Sequence, residues 1–221
     1  MPALALLRPT DTDPGCGPAA IPPELHQMSV CIAEAFVNAM EAKDVFLRGH
    51  SQRVAELAAA IATELGLDAE AVGLVRIAGS LHDVGKIGIR ETVLLKAGPL
   101  TADEYEHIKT HVRIGVDILA PLGHLGEALE YVAQHHEHLD GTGYPRGLRG
   151  HEISLGGRIL AVADMFDALT SRRPYREPLT PAQAIELLAG LAGRAIDPYV
   201  FETLCRLVVP ASTTTLGEAV A

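Results

Sequence analysis

The sequence HHEHLDGTGYP (residues 135–145) contains two adjacent histidines followed by a glycine-rich loop. Neighbouring side chains point about 100° apart on an α-helix, so adjacent imidazoles converge on one metal ion only where a helix is ending. The glycines then permit positive φ angles, and Pro145 prevents the helix from restarting. The stretch therefore predicts the end of a helix, with candidate metal ligands His135 and His136, and then a tight loop.

A second candidate pair lies upstream in LHDVGK (residues 81–86). His82 and Asp83 offer an imidazole and a carboxylate, and Lys86 follows one turn later. A single pair of this kind is more often structural or solvated than metal-binding. The two pairs together, combined with the glycine-rich loop, indicate a metal site.

Composition and charge favour an all-helical domain and exclude several function classes. The 221 residues fit one domain with short appendages, and 48% of them are hydrophobic, mainly alanine and leucine rather than β-branched or aromatic residues. An aromatic content of 4% without tryptophan argues against a stacking platform for single-stranded nucleic acid. A net charge of −10 argues against binding to nucleic-acid polymers or anionic membranes.

The cysteines and the hydropathy pattern predict a cytoplasmic protein. Cys16, Cys31 and Cys205 are odd in number and far apart, as expected for reduced thiols. No apolar run approaches the length of a membrane span, and the short run at residues 3–7 is too brief for a signal peptide.

The chain divides into four predicted segments. Residues 1–23, rich in proline, read as a disordered leader, and residues 211–221 as a flexible tail. Residues 24–43 predict an amphipathic helix with Met28, Ile32 and Phe36 along one side. This helix either packs on the core or pairs with a second subunit. Residues 44–210 form the main domain.

Further polar side chains lie on apolar helix faces. His50 precedes Val54 and Ile61 on a predicted helix over residues 45–65, where a core histidine bonded to a carbonyl is the alternative. His111 lies on a helix opened by a capping box at Thr101, although His107 lies near the same stripe. His136 continues the apolar face of the preceding helix, and Asp164 lies on a buried stripe, where a carboxylate needs a partner.

These motifs resemble the HD-GYP domain, a bacterial branch of the HD metal-dependent phosphohydrolases. The resemblance extends from about residue 44 to about residue 198. It includes GHSQRVAELA (49–58), LHDVGKIGI (81–89), HHEHLDGTGYP and RILAVADMFDALTSRRPYR (158–176). It implies an all-α fold, an HD-domain helical bundle with an HD-GYP C-terminal extension. Members often contain a sensor domain before this unit, and the leader is too short to hold one.

The resemblance implies a site with two divalent transition-metal ions, iron being expected and manganese the alternative. One ion would be held by His50, His82, Asp83 and Asp164, and Asp83 would bridge to the other. The second ion would take His111, His135 and His136. Imidazole and carboxylate ligands without cysteine suit a hydrolytic metal site, in which two ions lower the pKa of water and neutralise phosphate charge.

The resemblance also implies catalytic roles for Asp83 and Lys86 and the residues that contact substrate. Lys86 is expected to reach a phosphoryl or leaving oxygen, to form a salt bridge with Asp167, or to do both. The substrate contacts implied are Lys86, Tyr144, Asp167, Arg173 and Arg176. Arginine suits bidentate contacts to phosphate or guanine, whereas a solvated surface role is the alternative for each.

Some family members carry a glutamate one turn before the histidine equivalent to His50, which helps to hold a third ion. Phe46 occupies that position here and cannot ligate, and Asp44 would point away from His50 on a regular helix. Two ions rather than three are therefore expected.

The function implied is a metal-dependent phosphodiesterase that hydrolyses cyclic di-GMP to linear pGpG and possibly GMP. The alternatives are a phosphodiesterase for a hybrid cyclic dinucleotide, and a catalytically weak module whose GYP face contacts diguanylate cyclase domains. The expected partners are cyclic di-GMP, diguanylate cyclase domains and a second copy paired through the N-terminal helix, with no nucleic-acid polymer and no membrane.

Overall fold

The structure, a computed structural model, describes residues 23–41, 49–172 and 177–208. These ranges contain helices and connecting loops but no β-strand, which confirms the predicted all-α class. The α-helices in chain order are α1 (Pro23–Glu41), α2 (His50–Glu64), α3 (Ala69–Leu81), α4 (Glu91–Leu94), α5 (Ala102–Leu119), α6 (Glu127–Gln134), α7 (Leu155–Thr170), α8 (Pro181–Ala189) and α9 (Pro198–Val208). Short 3-10 helices occur at Val84–Gly88, Gly123–Leu125 and Gly150–Glu152.

The core is built around α7, which packs against α2, α3, α6, α8 and α9. Leu160 of α7 and Val54 and Ile61 of α2 are fully buried where the two helices contribute to the core. The 3-10 helix after α3 packs against α5, and α5 also contacts α6. The ends of α2, α3 and α6 and the inner faces of α5 and α7 therefore meet in one region.

The start of α2 differs from the sequence prediction. A helix from residue 45 was expected, but α2 begins at His50, after Gly49 with φ 71°. The Glu41 carboxylate at the end of α1 accepts hydrogen bonds from Gly49 N at 2.7 Å and Ser51 N at 2.8 Å. The first free amide groups of α2 are thus satisfied by a buried side chain from α1, and His50 lies at the helix start.

The capping box predicted at Thr101 is present, formed with Glu104. Asp68 likewise caps α3 by accepting a hydrogen bond from Ala71 N. Helix α7 begins at Leu155, because Ser154 caps it by accepting a hydrogen bond from Gly157 N.

The N-terminal helix has two apolar faces. Val30 and Val37 of α1 are buried against the core, whereas Met28, Ile32 and Phe36 are more than half exposed. The predicted leader falls outside the described residues except for its last residue, which begins α1, and the predicted tail lies wholly outside them. Among the described helices, none has the length and apolar character needed to cross a bilayer.

Candidate metal centre

Five elements bring the predicted metal ligands together. His50 begins α2, His82 and Asp83 follow the last turn of α3, and His135 and His136 follow α6. The other two lie inside helices, His111 in α5 and Asp164 in α7.

The seven side chains lie close enough to surround two cations. The ligand atoms of His50, His82 and Asp83 lie within 4.8 Å of one another, and so do those of His111, His135 and His136. Asp164 joins the first group, because its Oδ1 is 3.2 Å from His50 Nε2 and 3.8 Å from His82 Nε2.

Asp83 lies between the two groups. Its Oδ2 is 3.5 Å from His50 Nε2 and 3.4 Å from His82 Nε2, whereas its Oδ1 is 3.6 Å from His111 Nε2. One carboxylate therefore presents a different oxygen to each histidine group, which is the geometry that a bridging ligand needs.

Hydrogen bonds fix the orientation of the imidazoles. The Nδ1 atoms of His82, His111 and His135 lie 2.6–2.8 Å from backbone carbonyl oxygens three residues earlier in the chain. A carbonyl only accepts, so each Nδ1 must carry a proton, and in the neutral imidazole Nε2 then presents a lone pair. This arrangement is the usual support for histidine ligands in metal sites.

The Nε2 atoms lack partners suited to their lone pairs. His82 Nε2 is buried without a hydrogen bond, and His111 Nε2 faces His135 Nε2 at 3.3 Å. With both Nδ1 atoms protonated, no proton lies between the facing pair, and a cation is the group that satisfies them. The residues present therefore fit a metal centre.

The charge distribution also favours cations. Burial lowers the pKa of His50, but hydrogen bonds with Asp164, Asp167 and Asp83 outweigh it and raise that pKa to about 11. Burial lowers the pKa of His136 to about 3, so this imidazole is neutral and able to ligate. The first group thus attracts positive charge, and the second supplies neutral nitrogen ligands.

Lys86 contacts Asp83 rather than Asp167. Its Nζ is 2.5 Å from Asp83 Oδ2 and its side chain is 17% exposed, at the edge of the centre. The predicted Lys86–Asp167 salt bridge is wrong, because Lys86 lies in the 3-10 helix directly after Asp83 and reaches back one turn.

Asp167 instead supports His50. Its Oδ2 accepts a hydrogen bond from His50 Nδ1 at 2.7 Å, and its Oδ1 accepts one from Arg53 Nε at 2.6 Å. Both oxygens are thus engaged within the protein, and the predicted contact of Asp167 with substrate gains no support. Arg53 was missed by the sequence analysis, although its position one turn after His50 in α2 places it on the same helix face.

Glycine is required where the 3-10 helix crosses α5. A Cβ atom at Gly85 would lie 1.9 Å from the backbone oxygen of His111 and 2.4 Å from Gly115 N. The glycine between Asp83 and Lys86 therefore allows this segment to approach the helix that contains His111.

The GYP loop folds back onto the end of α6. Tyr144 N donates a hydrogen bond to His136 O at 3.0 Å, and the two rings lie 4.8 Å apart with a tilt of 32°. The buried Glu137 carboxylate accepts hydrogen bonds from Arg146 N and Leu148 N and so holds the loop. Tyr144 therefore lies beside His136, one of the predicted metal ligands, and its contact with substrate stays a prediction.

Two further residues near Tyr144 were missed. The Tyr105 ring stands edge-on to the Tyr144 ring at 6.5 Å, and Lys109 Nζ is 5.4 Å and 5.7 Å from these two ring centroids. Tyr105 and Lys109 are one turn apart in α5. Their i, i+4 spacing places them on the same face of α5, and this sequence feature could have identified the pair.

Arg173 and Arg176, the predicted arginine contacts to substrate, lie outside the described residues. The neighbouring Arg172 is exposed and lies 4.0 Å from Glu177. Asp44 and Phe46, on which the expectation of two rather than three ions rests, lie outside the described residues as well.

A family model described as HD domain matches residues 34–200. The chain belongs to the HD domain family. This HD domain is 43% identical over 171 residues to a Thermotoga maritima protein named cyclic di-GMP phosphodiesterase, covering 76% of this chain and 46% of that protein. It is 41% identical over 175 residues to 3'3'-cGAMP-specific phosphodiesterase 3 of Vibrio cholerae, covering 79% of this chain and 38% of that protein.

The solved structures agree on the fold. Bd1817, described as a HDG"Y"P protein from Bdellovibrio bacteriovorus, superposes with a TM-score of 0.64 at 20% identity, over 82% of this chain and 62% of that one. The family model and the curated relatives, rather than this superposition, confirm the predicted HD-GYP resemblance. The HD domain described here spans less than half the length of the two curated relatives.

Proposed function

We propose that this chain is a metal-dependent phosphodiesterase that opens cyclic di-GMP to linear pGpG. The observation that best supports it is the position of Asp83, which presents one oxygen to each of two histidine groups. Two cations held side by side suit the in-line displacement of a phosphodiester. The cyclic dinucleotide substrate is taken from the name of the Thermotoga relative.

The proposed centre holds two divalent ions, iron or alternatively manganese. His50, His82, Asp83 and Asp164 would hold one ion, and His111, His135 and His136 the other, with Asp83 shared. Bound ions would supply Lewis acidity, lower the pKa of water and neutralise phosphate charge. Nitrogen and oxygen ligands without cysteine support this choice of metals.

The remaining groups would position the substrate and manage its protons. In the proposed reaction water adds to one phosphorus atom, the bond from that phosphorus to a ribose 3′ oxygen breaks, and the departing oxygen takes a proton. Lys86 is suited to this step, because its ammonium lies at the edge of the centre beside Asp83. Burial raises the pKa of Tyr144 above its ordinary value, so its hydroxyl remains a hydrogen-bond donor toward the substrate.

A hybrid cyclic dinucleotide is the second candidate substrate. The Vibrio relative named as specific for 3'3'-cGAMP is nearly as similar to this chain as the Thermotoga relative. The sequence-based alternative, a catalytically weak module that contacts diguanylate cyclase domains, predicts little or no turnover, with metals that are structural or lost.

Two proposals concern the surroundings of the domain. A second copy of the chain is the proposed partner of α1, supported by the exposed apolar side chains of Met28, Ile32 and Phe36.

The cytoplasm is the proposed location, supported by a sequence without an apolar run long enough to span a membrane. The expectation of two ions rather than three rests on Phe46, which lies outside the described residues.

The direct test is hydrolysis of a panel of cyclic dinucleotides by the protein loaded with iron or manganese under anaerobic conditions. Cyclic di-GMP, 3'3'-cGAMP and cyclic di-AMP are supplied separately, and the products are resolved by chromatography. We expect linear pGpG from cyclic di-GMP and no product from the Asp83→Asn variant. Metal-loaded protein that hydrolyses none of the three would contradict the proposal and favour the interaction module.

A further inference from the structure

Tyr105, Lys109 and Tyr144 form a cluster at the rim of the metal centre, here called the aromatic notch. Tyr105 and Lys109 come from α5, and Tyr144 comes from the GYP loop. The two phenol rings are nearly perpendicular, at 82°, and the ammonium lies within 6 Å of both ring centroids. At this distance a cation interacts favourably with aromatic faces.

The notch adjoins the metal centre through Tyr144. The Tyr144 ring also lies against His136, a predicted metal ligand, with the ring centroids 4.8 Å apart. A cyclic dinucleotide with one phosphate at the metal centre must extend its ribose and base groups outward from that point. The notch is therefore a place for a base of the bound substrate.

The groups of the notch remain accessible. Tyr105 is 49% exposed, and the Lys109 side chain is 26% exposed. Lys109 pairs with Glu106, but Glu106 is itself 66% exposed. Such a surface ion pair contributes little free energy, so it does not compete strongly with a ligand for the ammonium.

The side chains of the notch are suited to distinguish guanine from adenine. Tyrosine rings stack on any base, because every base has a π-face. Lysine only donates hydrogen bonds, and guanine presents two acceptors, O6 and N7, on one edge. Adenine presents N7 beside an amino group that also donates, so it pairs less well with an ammonium.

We propose that the aromatic notch binds a guanine base of the substrate, with the tyrosines stacking and Lys109 donating to O6 and N7. This inference rests on the proposed function and extends it to the recognition of the base. Tyr105 and Lys109 thereby become specificity residues at a distance from the reacting phosphate.

The test compares Lys109→Met with Arg113→Met, because both residues are cations of α5. Methionine keeps much of the aliphatic stem, and Arg113 is 71% exposed and pairs with Asp117. We expect Lys109→Met to raise KM for cyclic di-GMP about tenfold with kcat within about twofold, as for the loss of one base contact. Arg113→Met should leave both constants unchanged, and both variants should keep the metal content of the wild type.

Cyclic di-AMP, used as a competitive inhibitor of cyclic di-GMP hydrolysis, tests whether the Lys109 contact is specific for guanine. Its inhibition constant should change less than about twofold in Lys109→Met, or stay beyond the measurable range in both proteins, because no guanine is present. Tyr105→Ala should weaken the binding of both nucleotides about tenfold, because stacking on an aromatic ring does not depend on which base is present.

The failure of the inference is distinguishable from the failure of the proposed function. Equal KM values for Lys109→Met and Arg113→Met in an active enzyme overturn the notch alone. An equal loss of affinity for cyclic di-GMP and cyclic di-AMP in Lys109→Met overturns the proposed contact of Lys109 with guanine. A wild-type protein that turns over no cyclic dinucleotide overturns both proposals.

Discussion

Asp167 Oδ2 accepts a hydrogen bond from His50 Nδ1 at 2.7 Å, while Arg53 binds the same carboxylate through Nε and Nη2 at 2.6 Å and 3.1 Å. The carboxylate fixes the protonated nitrogen of His50 and directs Nε2 at Asp83 and Asp164. The arginine in turn fixes the carboxylate. Asp167 is therefore a positioning residue for a predicted metal ligand.

The first prediction is that Asp167→Asn weakens metal binding about 10–100-fold, the usual cost of losing a carboxylate that orients a histidine ligand. An asparagine can still hydrogen-bond to His50, but it lacks the charge that stabilises the Nδ1 proton. Competition between the protein and a fluorescent chelator for Mn²⁺ measures this loss. Asp117→Asn, a change at an exposed residue of α5, should retain wild-type affinity. Unchanged affinity in Asp167→Asn would contradict the positioning role.

The second prediction is that Asp83→Ala removes turnover and lowers the metal content to one ion per chain or fewer. The reason is that Asp83 presents an oxygen to each histidine group, so its loss affects both. Elemental analysis of the purified variant gives the stoichiometry. Asp68→Asn, which preserves the cap at the opposite end of α3, is the control. Two ions per chain with normal activity would show that Asp83 is not a shared ligand.

The third prediction concerns Lys86, which lies beside Asp83 but has no lone pair to offer a metal while protonated. Lys86→Met should keep the wild-type metal content and lose about 10²–10⁴-fold in kcat, the range for a lost proton donor. Metal analysis and initial rates on the same preparation separate the two effects. A metal-free Lys86→Met protein would mean that the lysine maintains the centre itself.

The fourth prediction tests the close approach at Gly85. Gly85→Ala should cost about 3 kcal/mol, because its Cβ would meet backbone atoms of His111 and Gly115 that cannot move aside. The expected fall in Tm is about 6–12 °C for a domain of this size. The matched change is Gly73→Ala in α3, where a Cβ meets nothing within 4 Å. It should raise Tm slightly, because alanine favours helix. Equal Tm values for the two variants would contradict the packing argument.

The sequence predicted the all-helical class, because apolar spacing and helix caps are local patterns. Apolar spacing marked the inward faces that hold His111 and Asp164, and the capping box at Thr101 marked a helix start. The set of metal ligands was implied by the family resemblance and stays a prediction. The start of α2 was missed, because its first amides are satisfied by Glu41 from another helix.

Partners between helices could not be predicted in the same way. Lys86 had two carboxylates within plausible reach, and only the packed structure distinguishes Asp83 from Asp167. Arg53 meets Asp167 across more than a hundred residues of chain, so no local spacing indicates the pair. The same limit applies to Tyr105 and Lys109, which meet Tyr144 only because the GYP loop folds back on α6.

The most direct test of the whole account is the initial rate of cyclic di-GMP hydrolysis as Mn²⁺ is added to metal-stripped protein. Two ions sharing Asp83 predict a rate that stays low through the first equivalent and reaches its plateau after the second, with linear pGpG as the product. Full activity at one equivalent, or activity that persists in excess chelator, would contradict a two-metal phosphodiesterase.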